Sequence, residues 1–328
     1  MIPPLTGSSD CLQFSAVLLL SVLCARIGPP PLSPIGFSHG ERMTVRTVSS
    51  RSSAWHRRLL AAVLVTATLP LAAIAQRGPL YIVGGGPQTP AMVGEFVQLA
   101  GGSGKARIIV MAMASGSGER SGETKANDLR QLGATAINVW VNREQADLDS
   151  VARLLDGATG IWFGGGDQNR LANVVRGTAL ERAIKARYAA GAVVGGTSAG
   201  AAVLSSRMIT GNERRLGGDR PPSDSSDAYI TLDRNNVVTS DGFALVDNAV
   251  IDQHFVRRKR HNRLISLVLE APPHLGVGID ESTALVIEPD GTWRVSGRSV
   301  VVIYDARSAS RTATEAKVLG ATGVVMHV

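Results

Sequence analysis

The stretch of sequence that decides the fold runs from residue 192 to residue 204 and is Ala-Val-Val-Gly-Gly-Thr-Ser-Ala-Gly-Ala-Ala-Val-Leu. Its apolar beginning predicts a buried strand, and residues 200–204 predict the start of a helix. Between them lies G-x-S-x-G, centred on Ser198, whose glycines allow a sharp turn that lifts the serine hydroxyl above the sheet. This context predicts a nucleophile, and an ordinary glycine-rich turn between strand and helix is the alternative.

Short apolar runs alternate with helical patterns on both sides of this stretch. The sequence predicts strands at 79–83, 107–112, 136–140, 160–163, 192–194, 246–251 and 275–279, and helices at 91–100, 124–132, 146–155, 179–190 and 200–204. Alternation of this kind predicts an α/β fold with a mostly parallel, doubly wound sheet and helices on both faces. Further strands at 284–288, 293–295 and 300–304 predict a β-rich C-terminal part.

A serine nucleophile needs a base and a carboxylate, and two later segments offer them. His254 follows the predicted strand at 246–251, so we expect it at the carboxyl end of a strand, on the same sheet edge as Ser198. Asp280 and Glu281 follow the next predicted strand and offer a carboxylate at that edge. The chain order of serine, histidine and acid differs from that of α/β-hydrolases, which predicts a different serine-hydrolase fold.

The other histidines after residue 75 are weaker candidates for the base. His261 lies in a very basic segment and is predicted at the surface. His274 follows two prolines in a predicted loop, and His327 lies near the C-terminus, so both are expected to be solvated.

Residues 257–263 carry five cations, which indicates an anion-binding surface. On a helix, Arg257, Arg260 and Arg263 would share one face. Their position just after His254 favours a substrate carboxylate held by paired guanidinium hydrogen bonds. A solvated basic face is the alternative, and a nucleic-acid partner is not predicted because the cluster lacks interleaved aromatic residues.

A glycine-rich turn at residues 164–166 follows the predicted strand at 160–163 and precedes Gln168. Such a turn could hold a phosphate, but the Lys-Ser/Thr of a P-loop is absent here, and the turn at 84–86 lacks G-x-G-x-x-G spacing. No nucleotide cofactor is therefore predicted, and Gln168 is expected to contact an amide or a carboxylate.

Composition excludes several kinds of site. The 328-residue chain is 44% hydrophobic and 19% charged, which is typical of a folded protein. Cys11 and Cys24 are its only cysteines, so residues 76–328 have neither a thiol nucleophile nor a cysteine-based zinc site. The formal net charge is +7 for the whole chain but +3 for residues 76–328, so that part is not predicted to bind nucleic acid.

The first 75 residues are predicted to be a signal region. Basic residues at 51–58, an apolar run at 59–75 and a final Ala-Ile-Ala predict a secretory signal cleaved after Ala75. A transmembrane anchor is the alternative, but 17 residues containing a proline are short for that role, so no stable membrane anchor is predicted. Met43 is the predicted true start, with a shorter signal at 14–25 as the rival, and residues 76–328 are predicted to form a single catalytic domain.

Four motifs follow one another between residues 79 and 305: Phe163-Gly-Gly-Gly-Asp-Gln168, Gly196-Thr-Ser-Ala-Gly-Ala201, Asp252-Gln-His-Phe255 with its trailing arginines, and Gly278-Ile-Asp-Glu281. Together they resemble the cyanophycinases and the wider group of serine peptidases, peptidase family S51, which includes aspartyl dipeptidase (peptidase E). The third motif is the most specific one, and it favours cyanophycinase over aspartyl dipeptidase.

The resemblance implies a fold similar to that of class I glutamine amidotransferases, with serine in place of their cysteine. It implies Ser198 as nucleophile, His254 as general base and Glu281 as the acid that orients the base. It also implies a substrate pocket formed by Gln168, Asp252, Arg258, Arg260 and Arg263. The substrate of the family is cyanophycin, a polyaspartate backbone whose β-carboxyl groups carry arginine through isopeptide bonds, and the product is the β-aspartyl-arginine dipeptide.

These observations together predict a secreted or periplasmic serine exopeptidase that needs no metal or other cofactor. Backbone N–H groups of Gly165, Gly166 and Ala199 are expected to hold the oxyanion, and the polar segment 211–236 to set substrate preference. The expected partner is cyanophycin or another β-aspartyl peptide, and a homodimer is compatible with the sequence. Two alternatives are an aspartyl or isoaspartyl dipeptidase, and a secreted anion-binding protein without catalytic activity.

Overall fold

A computed structural model describes residues 77–215, 218–220, 232–270 and 275–328. The predicted signal region and His274 lie outside the described residues. None of the helices in these ranges has the length and apolar character needed to cross a bilayer. The elements, in chain order, are β1 (Leu80–Val83), α1 (Pro90–Leu99), β2 (Arg107–Met111), α2 (Gly118–Gln131), β3 (Thr135–Asn138), α3 (Arg143–Ala146), α4 (Asp149–Ala152), a 3₁₀ turn (Arg153–Leu155), β4 (Gly160–Phe163), α5 (Gln168–Val175), α6 (Ala179–Ala189), β5 (Val193–Thr197), α7 (Ala199–Ala202), β6 (Arg207–Arg215), β7 (Gly218–Arg220), β8 (Val237–Asp241), β9 (Ala249–Asp252), α8 (His261–Glu270), β10 (Leu275–Ile279), β11 (Thr283–Ile287), β12 (Trp293–Gly297), β13 (Val301–Asp305), β14 (Ser310–Arg311), β15 (Ala321–Thr322) and β16 (Val325–His327).

The main sheet of the described residues has seven strands in the order β12–β11–β1–β5–β4–β2–β3. Strands β1 to β5 pair in parallel. Beside them, β11 pairs antiparallel with β1, and β12 pairs antiparallel with β11. The predicted α/β fold with a mostly parallel sheet and additional C-terminal strands is therefore confirmed. Because β4 and β5 are parallel neighbours, their carboxyl ends lie side by side at one edge of the sheet.

Alternate strand residues contribute to two cores, one on each face of the main sheet. On one face, α1 and α2 pack through Phe96 and Leu129 against Val110 and Trp162, and all four residues are buried. On the other face, α5, α6 and α7 pack against the sheet through residues such as Leu171. Helices therefore cover both faces, as predicted.

Local sequence explains where α1 begins and ends. Thr89 Oγ1 accepts a hydrogen bond from Met92 N at 3.2 Å, and Pro90 stands in the first turn, where its missing N–H leaves no helical bond unmade. Beyond the last turn, Gly101 and Gly102 adopt φ angles of +109° and +84°. These left-handed residues end the helix and direct the chain toward β2.

A second sheet has the strand order β16–β13–β10–β9. Ile251 of β9 pairs in parallel with Val277 of β10, and both side chains join the core on the α5–α7 side of the main sheet. Val250, on the opposite face of β9, packs with Leu264 of α8. The prediction that His254 shares a sheet edge with Ser198 is therefore wrong, because β9 and β5 belong to different sheets.

One predicted helix needs correction, and two parts of the chain contain elements that were not predicted. The predicted helix at 146–155 is divided into α3, α4 and a 3₁₀ turn, because Leu148 adopts an extended conformation with ψ of 131°. The polar segment 211–236, for which no strand was predicted, contains the end of β6 and the whole of β7, which pair antiparallel. Its residues 216–217 and 221–231 lie outside the described ranges. Helix α5 was not predicted; it begins directly after the turn at 164–166, where the Asp167 side chain caps it.

Candidate active site

The nucleophile candidate Ser198 occupies the sharp turn between β5 and α7. Its φ of +55° lies in the left-handed region that residues other than glycine seldom adopt, and its backbone N donates to Val83 O at 3.0 Å. A Cβ on Gly196 would lie 2.3 Å from Gly200 O, and a Cβ on Gly200 would lie 2.3 Å from Phe163 O. Only glycines fit these two positions, and the turn leaves Ser198 partly exposed at the carboxyl end of β5.

His254 approaches Ser198 from the second sheet. It follows β9, and its backbone N donates to Gly84 O at 2.6 Å, in the turn after β1. Its Nε2 lies 3.0 Å from Ser198 Oγ, which is within hydrogen-bond distance. The residue is buried and has a φ of +48°, so its ring is held in place by a left-handed backbone and by the packing around it.

Glu281 completes a hydrogen-bonded chain of three side chains. Its Oε1 lies 2.6 Å from His254 Nδ1. The residues alone left Asp280 and Glu281 as candidate acids, and the geometry distinguishes them. Asp280 instead accepts hydrogen bonds from Arg257 N at 2.9 Å and from Ser299 Oγ at 2.8 Å, so its carboxylate joins two loops.

The glycine turn at 84–86 packs directly against this chain. A Cβ on Gly85 would lie 2.4 Å from His254 Nε2, and a Cβ on Gly86 would lie 2.8 Å from Glu281 Cβ. The sequence of this turn did not predict a place beside the catalytic candidates; its spacing was compared only with that of a phosphate-binding loop. The turn directly follows β1, and this position could have placed it near Ser198. That conclusion needs the knowledge that β1 pairs in parallel with β5, which the sequence does not give.

Burial and nearby cations favour the neutral form of His254. Burial lowers its pKa below the ordinary 6.5, and the guanidinium groups of Arg258 and Arg260 lower the pKa further. The hydrogen bond to Glu281 favours the charged ring, but the net shift is still downward. At neutral pH the ring can therefore accept a proton at Nε2 while Nδ1–H donates to Glu281.

Comparison with known proteins gives the family. The sequence matches Peptidase family S51 over residues 80–294. The chain belongs to peptidase family S51. This membership confirms the resemblance that the four motifs indicated.

Several cyanophycinases are similar to this chain in sequence. Cyanophycinase of Synechococcus elongatus is 36% identical over 220 residues, which are 66% of this chain and 64% of that protein. The cyanophycinase of Trichormus variabilis is 34% identical over 64% of this chain and 67% of its own length. That of Geminocystis herdmanii is 30% identical over 76% of this chain and 89% of its own length. The chain thus spans about two thirds of the length of the S. elongatus and T. variabilis cyanophycinases.

A solved structure with a similar fold is a peptidase from an acI-B1 Actinobacterium. The two folds superpose with a TM-score of 0.55 at 21% sequence identity, over 77% of this chain and 98% of that one. At this identity the comparison supports the S51 fold alone.

The glycine turn at 164–166 lies close to Ser198. A Cβ on Gly165 would lie 3.4 Å from Ser198 Cβ, so the turn at 164–166 runs beside the hydroxyl. Among the described residues, neither Gly165 N nor Gly166 N donates to a backbone oxygen. Ala199 follows the serine as the first residue of α7. Within the same ranges, no three His, Cys, Asp or Glu side chains are grouped closely enough to hold a metal ion.

Gln168 is buried and anchors this turn to β6. Its Nε2 donates to Ile209 O at 2.9 Å, and Asn169 Nδ2 donates to Thr210 O at 3.1 Å. The register of β6 against β8 shifts between Ile209 and Glu213, so the two amides hold an irregular part of that strand. Gln168 therefore links the glycine turn at 164–166 to β6, the strand that leads into the polar segment 211–236.

The basic segment after His254 divides into exposed and buried cations. Arg258 is exposed, whereas Arg260 is buried and donates through Nη1 to Gln253 O at 2.6 Å. Arg263 and Asp252 are fully buried: Arg263 Nε donates to Asp252 Oδ2 at 2.7 Å, and a second, shorter contact joins Nη2 to Oδ1. The expectation that Asp252 and Arg263 line a substrate pocket is corrected, because the two side chains are buried against each other.

Two expectations about the helix in this segment are also corrected. Helix α8 begins at His261, so Arg257 lies in the preceding turn and does not share a helical face with Arg263. The ring of His261 is only partly exposed, since its Nδ1 lies 2.7 Å from Tyr304 Oη and the ring packs edge-on against Phe255.

Proposed function

We propose that this protein is a serine peptidase that hydrolyses cyanophycin and releases β-aspartyl-arginine dipeptides. The observation that carries the proposal is the hydrogen-bonded chain from Ser198 through His254 to Glu281, with contacts of 3.0 Å and 2.6 Å. The similarity to cyanophycinases of several organisms supports the choice of substrate.

Ser198 Oγ attacks a backbone carbonyl carbon of the polymer while His254 Nε2 takes the hydroxyl proton. Glu281 accepts the Nδ1–H bond and stabilises the imidazolium that forms. The imidazolium then gives its proton to the departing amine, and an ester joins the acyl residue to Ser198. A water molecule then attacks the ester carbonyl carbon while His254 Nε2 takes its proton. The bond from that carbon to Ser198 Oγ breaks, the imidazolium returns the proton to Oγ, and the product acid is released.

The oxyanion of each tetrahedral intermediate is assigned to the N–H groups of Gly165, Gly166 and Ala199. Support comes from the position of Gly165 beside the Ser198 side chain and from the absence of backbone acceptors for Gly165 N and Gly166 N among the described residues. Donors fixed in this way stabilise the charge that develops in the transition state.

Among the expected substrate residues, the exposed Arg258 is the one best placed to meet a carboxylate of the polymer. Arg260 acts through Gln253, to which its guanidinium is bonded, and Gln168 acts through β6. Asp252 and Arg263 are positioning residues, because their ion pair fixes the chain that carries His254.

Export is the second part of the proposal. Residues 1–75 act as the signal region, Met43 is the functional start, and the protein works outside the cytoplasm on polymer released by other cells. The basic, apolar and Ala-Ile-Ala parts of residues 51–75 support this placement. A homodimer stays a prediction.

Turnover of insoluble cyanophycin by the purified protein tests the proposal, with β-aspartyl-arginine measured by mass spectrometry. Ser198→Ala is expected to lower kcat about 10⁴-fold or more and to leave unfolding unchanged. Ser308→Ala, at an exposed serine, is the matched control and should keep full activity. Near-normal turnover by Ser198→Ala would exclude this mechanism.

The same assay separates the alternatives. Hydrolysis of Asp-X dipeptides with no release from cyanophycin would instead assign the protein as an aspartyl or isoaspartyl dipeptidase. Absence of both activities, together with anion binding, would assign it as a non-catalytic binding protein.

A further inference from the structure

A cavity of about 250 Å³ adjoins the serine turn on the face of the main sheet that α1 and α2 cover. Its wall includes Thr197, which precedes Ser198, and Gly165, where a Cβ would lie 3.9 Å from Ser198 Oγ. The volume is below the range of about 300–1,000 Å³ that is typical of sites for drug-sized ligands. The cavity therefore has room for one side chain of the substrate, and its position selects the residue whose carbonyl carbon Ser198 attacks.

Lys125 of α2 brings a cation into this cavity. Its Nζ donates to Gln88 Oε1 at 2.6 Å and lies 4.5 Å from the centroid of the Trp162 ring. Within the described ranges, no carboxylate oxygen lies within 4 Å of the ammonium, and the exposed Asp128 is the one acid in the cavity wall. The closest partners of Lys125 are thus a neutral amide and an aromatic face.

The surroundings of Lys125 disfavour its charge. Burial lowers its pKa to about 8, although the charge on Asp128 acts in the opposite direction. A partly buried ammonium with neutral partners gains more from a bound anion than an exposed one does, because less water has to be removed from it.

We propose that Lys125 binds a carboxylate carried by the substrate residue whose carbonyl Ser198 attacks. This inference rests on the proposed function and adds the chemistry of the acyl-side subsite. In cyanophycin that residue is an aspartate whose β-carboxyl is joined to the amino group of arginine. The arginine carboxylate is therefore free, and it is the group that Lys125 recognises.

The opposite charge of the same arginine has a partner in the cavity wall. Lys125 and Asp128 are three positions apart on α2 and share one side of the helix. A β-aspartyl-arginine side chain carries one carboxylate and one guanidinium. The two wall charges match this pair, with Asp128 facing the guanidinium, whereas a cavity lined by acids alone would select the guanidinium and repel the carboxylate.

Protection of Ser198 from a fluorophosphonate probe tests the inference without turnover. Two competitors are compared: the dipeptide β-aspartyl-arginine, and the same dipeptide with its arginine carboxylate converted to an amide. For the unmodified protein, the half-protecting concentration of the amide should be about 10- to 100-fold higher, the effect expected for one charge-assisted hydrogen bond. Equal protection by both compounds would overturn the inference.

Variants assign the difference to one residue. In Lys125→Met the two competitors should protect equally, whereas Lys105→Met, at an exposed lysine on the loop before β2, should keep the full difference. If Lys125→Met no longer reacts with the probe, Lys125→Arg is used, and a cation at this position should keep at least part of the preference. A full preference in Lys125→Met, or none in a reactive Lys125→Arg, would contradict the assignment.

The same experiment distinguishes a failure of the proposed function from a failure of the inference about Lys125. If the unmodified protein does not react with the probe at Ser198, the serine mechanism is wrong and the inference is overturned with it. If it reacts but neither wild-type protection nor the Lys125 variants show the carboxylate preference, the mechanism stands and the inference alone is overturned.

Discussion

Replacing Asp252 by asparagine removes the buried carboxylate to which the guanidinium of Arg263 is bonded. The Asp252 side chain is fully buried and that of Arg263 is 1% exposed, and two hydrogen bonds join them. Asparagine keeps the shape and the oxygen that accepts Gln253 N, but its amide nitrogen cannot accept the bond from Arg263 Nε. The change therefore removes the charge and one hydrogen bond. Breaking a buried pair by removal of one partner costs about 3–5 kcal/mol. At a urea slope of about 2 kcal/mol/M, the unfolding midpoint should fall by about 1.5–2.5 M.

Urea unfolding followed by circular dichroism measures this shift. The matched control is Asp241→Asn, which breaks the exposed Asp241–Arg176 pair and should cost less than about 1 kcal/mol. The double variant Asp252→Asn with Arg263→Met also removes the buried guanidinium and should regain part of the loss. A midpoint shift below about 0.5 M combined with a large rise in KM would refute the reasoning and would return Asp252 to the substrate pocket.

Two further predictions concern His254. Gly85→Ala should lower kcat/KM by about 100-fold or more, because the new Cβ would lie 2.4 Å from the His254 ring and displace it. A loss of this size is expected when a catalytic group moves by about 1 Å. The control is Gly104→Ala, which also has a positive φ but no atom within 4 Å of the added Cβ, and it should keep its activity. The acidic limb of kcat/KM against pH should have its midpoint below 6.5, since burial and the charges of Arg258 and Arg260 lower the His254 pKa. Arg258→Gln removes one of these charges and should move the midpoint upward. An unchanged or lower midpoint in that variant would contradict the assignment of His254 as the base.

The central part of the fold follows from local sequence. Strand β5, the turn at Ser198 and strand β4 are encoded by apolar runs and glycines that lie next to one another in the chain. Such short-range patterns predict buried strands and sharp turns because the burial and the backbone requirement belong to the same few residues. Most predicted strands therefore lie within a few residues of those in the structure.

The division into two sheets did not follow from local sequence. The runs that form β9 and β10 have the same apolar character as those of the main sheet, and apolar character does not specify a pairing partner. His254 was predicted to be near Ser198 for the wrong reason: the two sheets meet, and the chain after β9 crosses to the turn at 84–86.

Charged residues are involved in two differences between the predicted and the observed structure. Strand β6 carries Arg207, Glu213 and Arg215, and it was not among the strands predicted from apolar runs. The arginines after His254 were treated as one surface, but burial of Arg263 depends on Asp252, which lies 11 positions away on β9. An ion pair between distant elements leaves no periodic pattern that sequence reasoning can detect.

Reaction of the purified protein with a fluorophosphonate probe, located by peptide mass spectrometry, tests the central claim most directly. The account predicts one adduct, on Ser198, and a reaction slowed at least about 100-fold in His254→Asn, since the hydroxyl then lacks its base. The absence of an adduct, an adduct on another serine, or an undiminished rate in His254→Asn would contradict it.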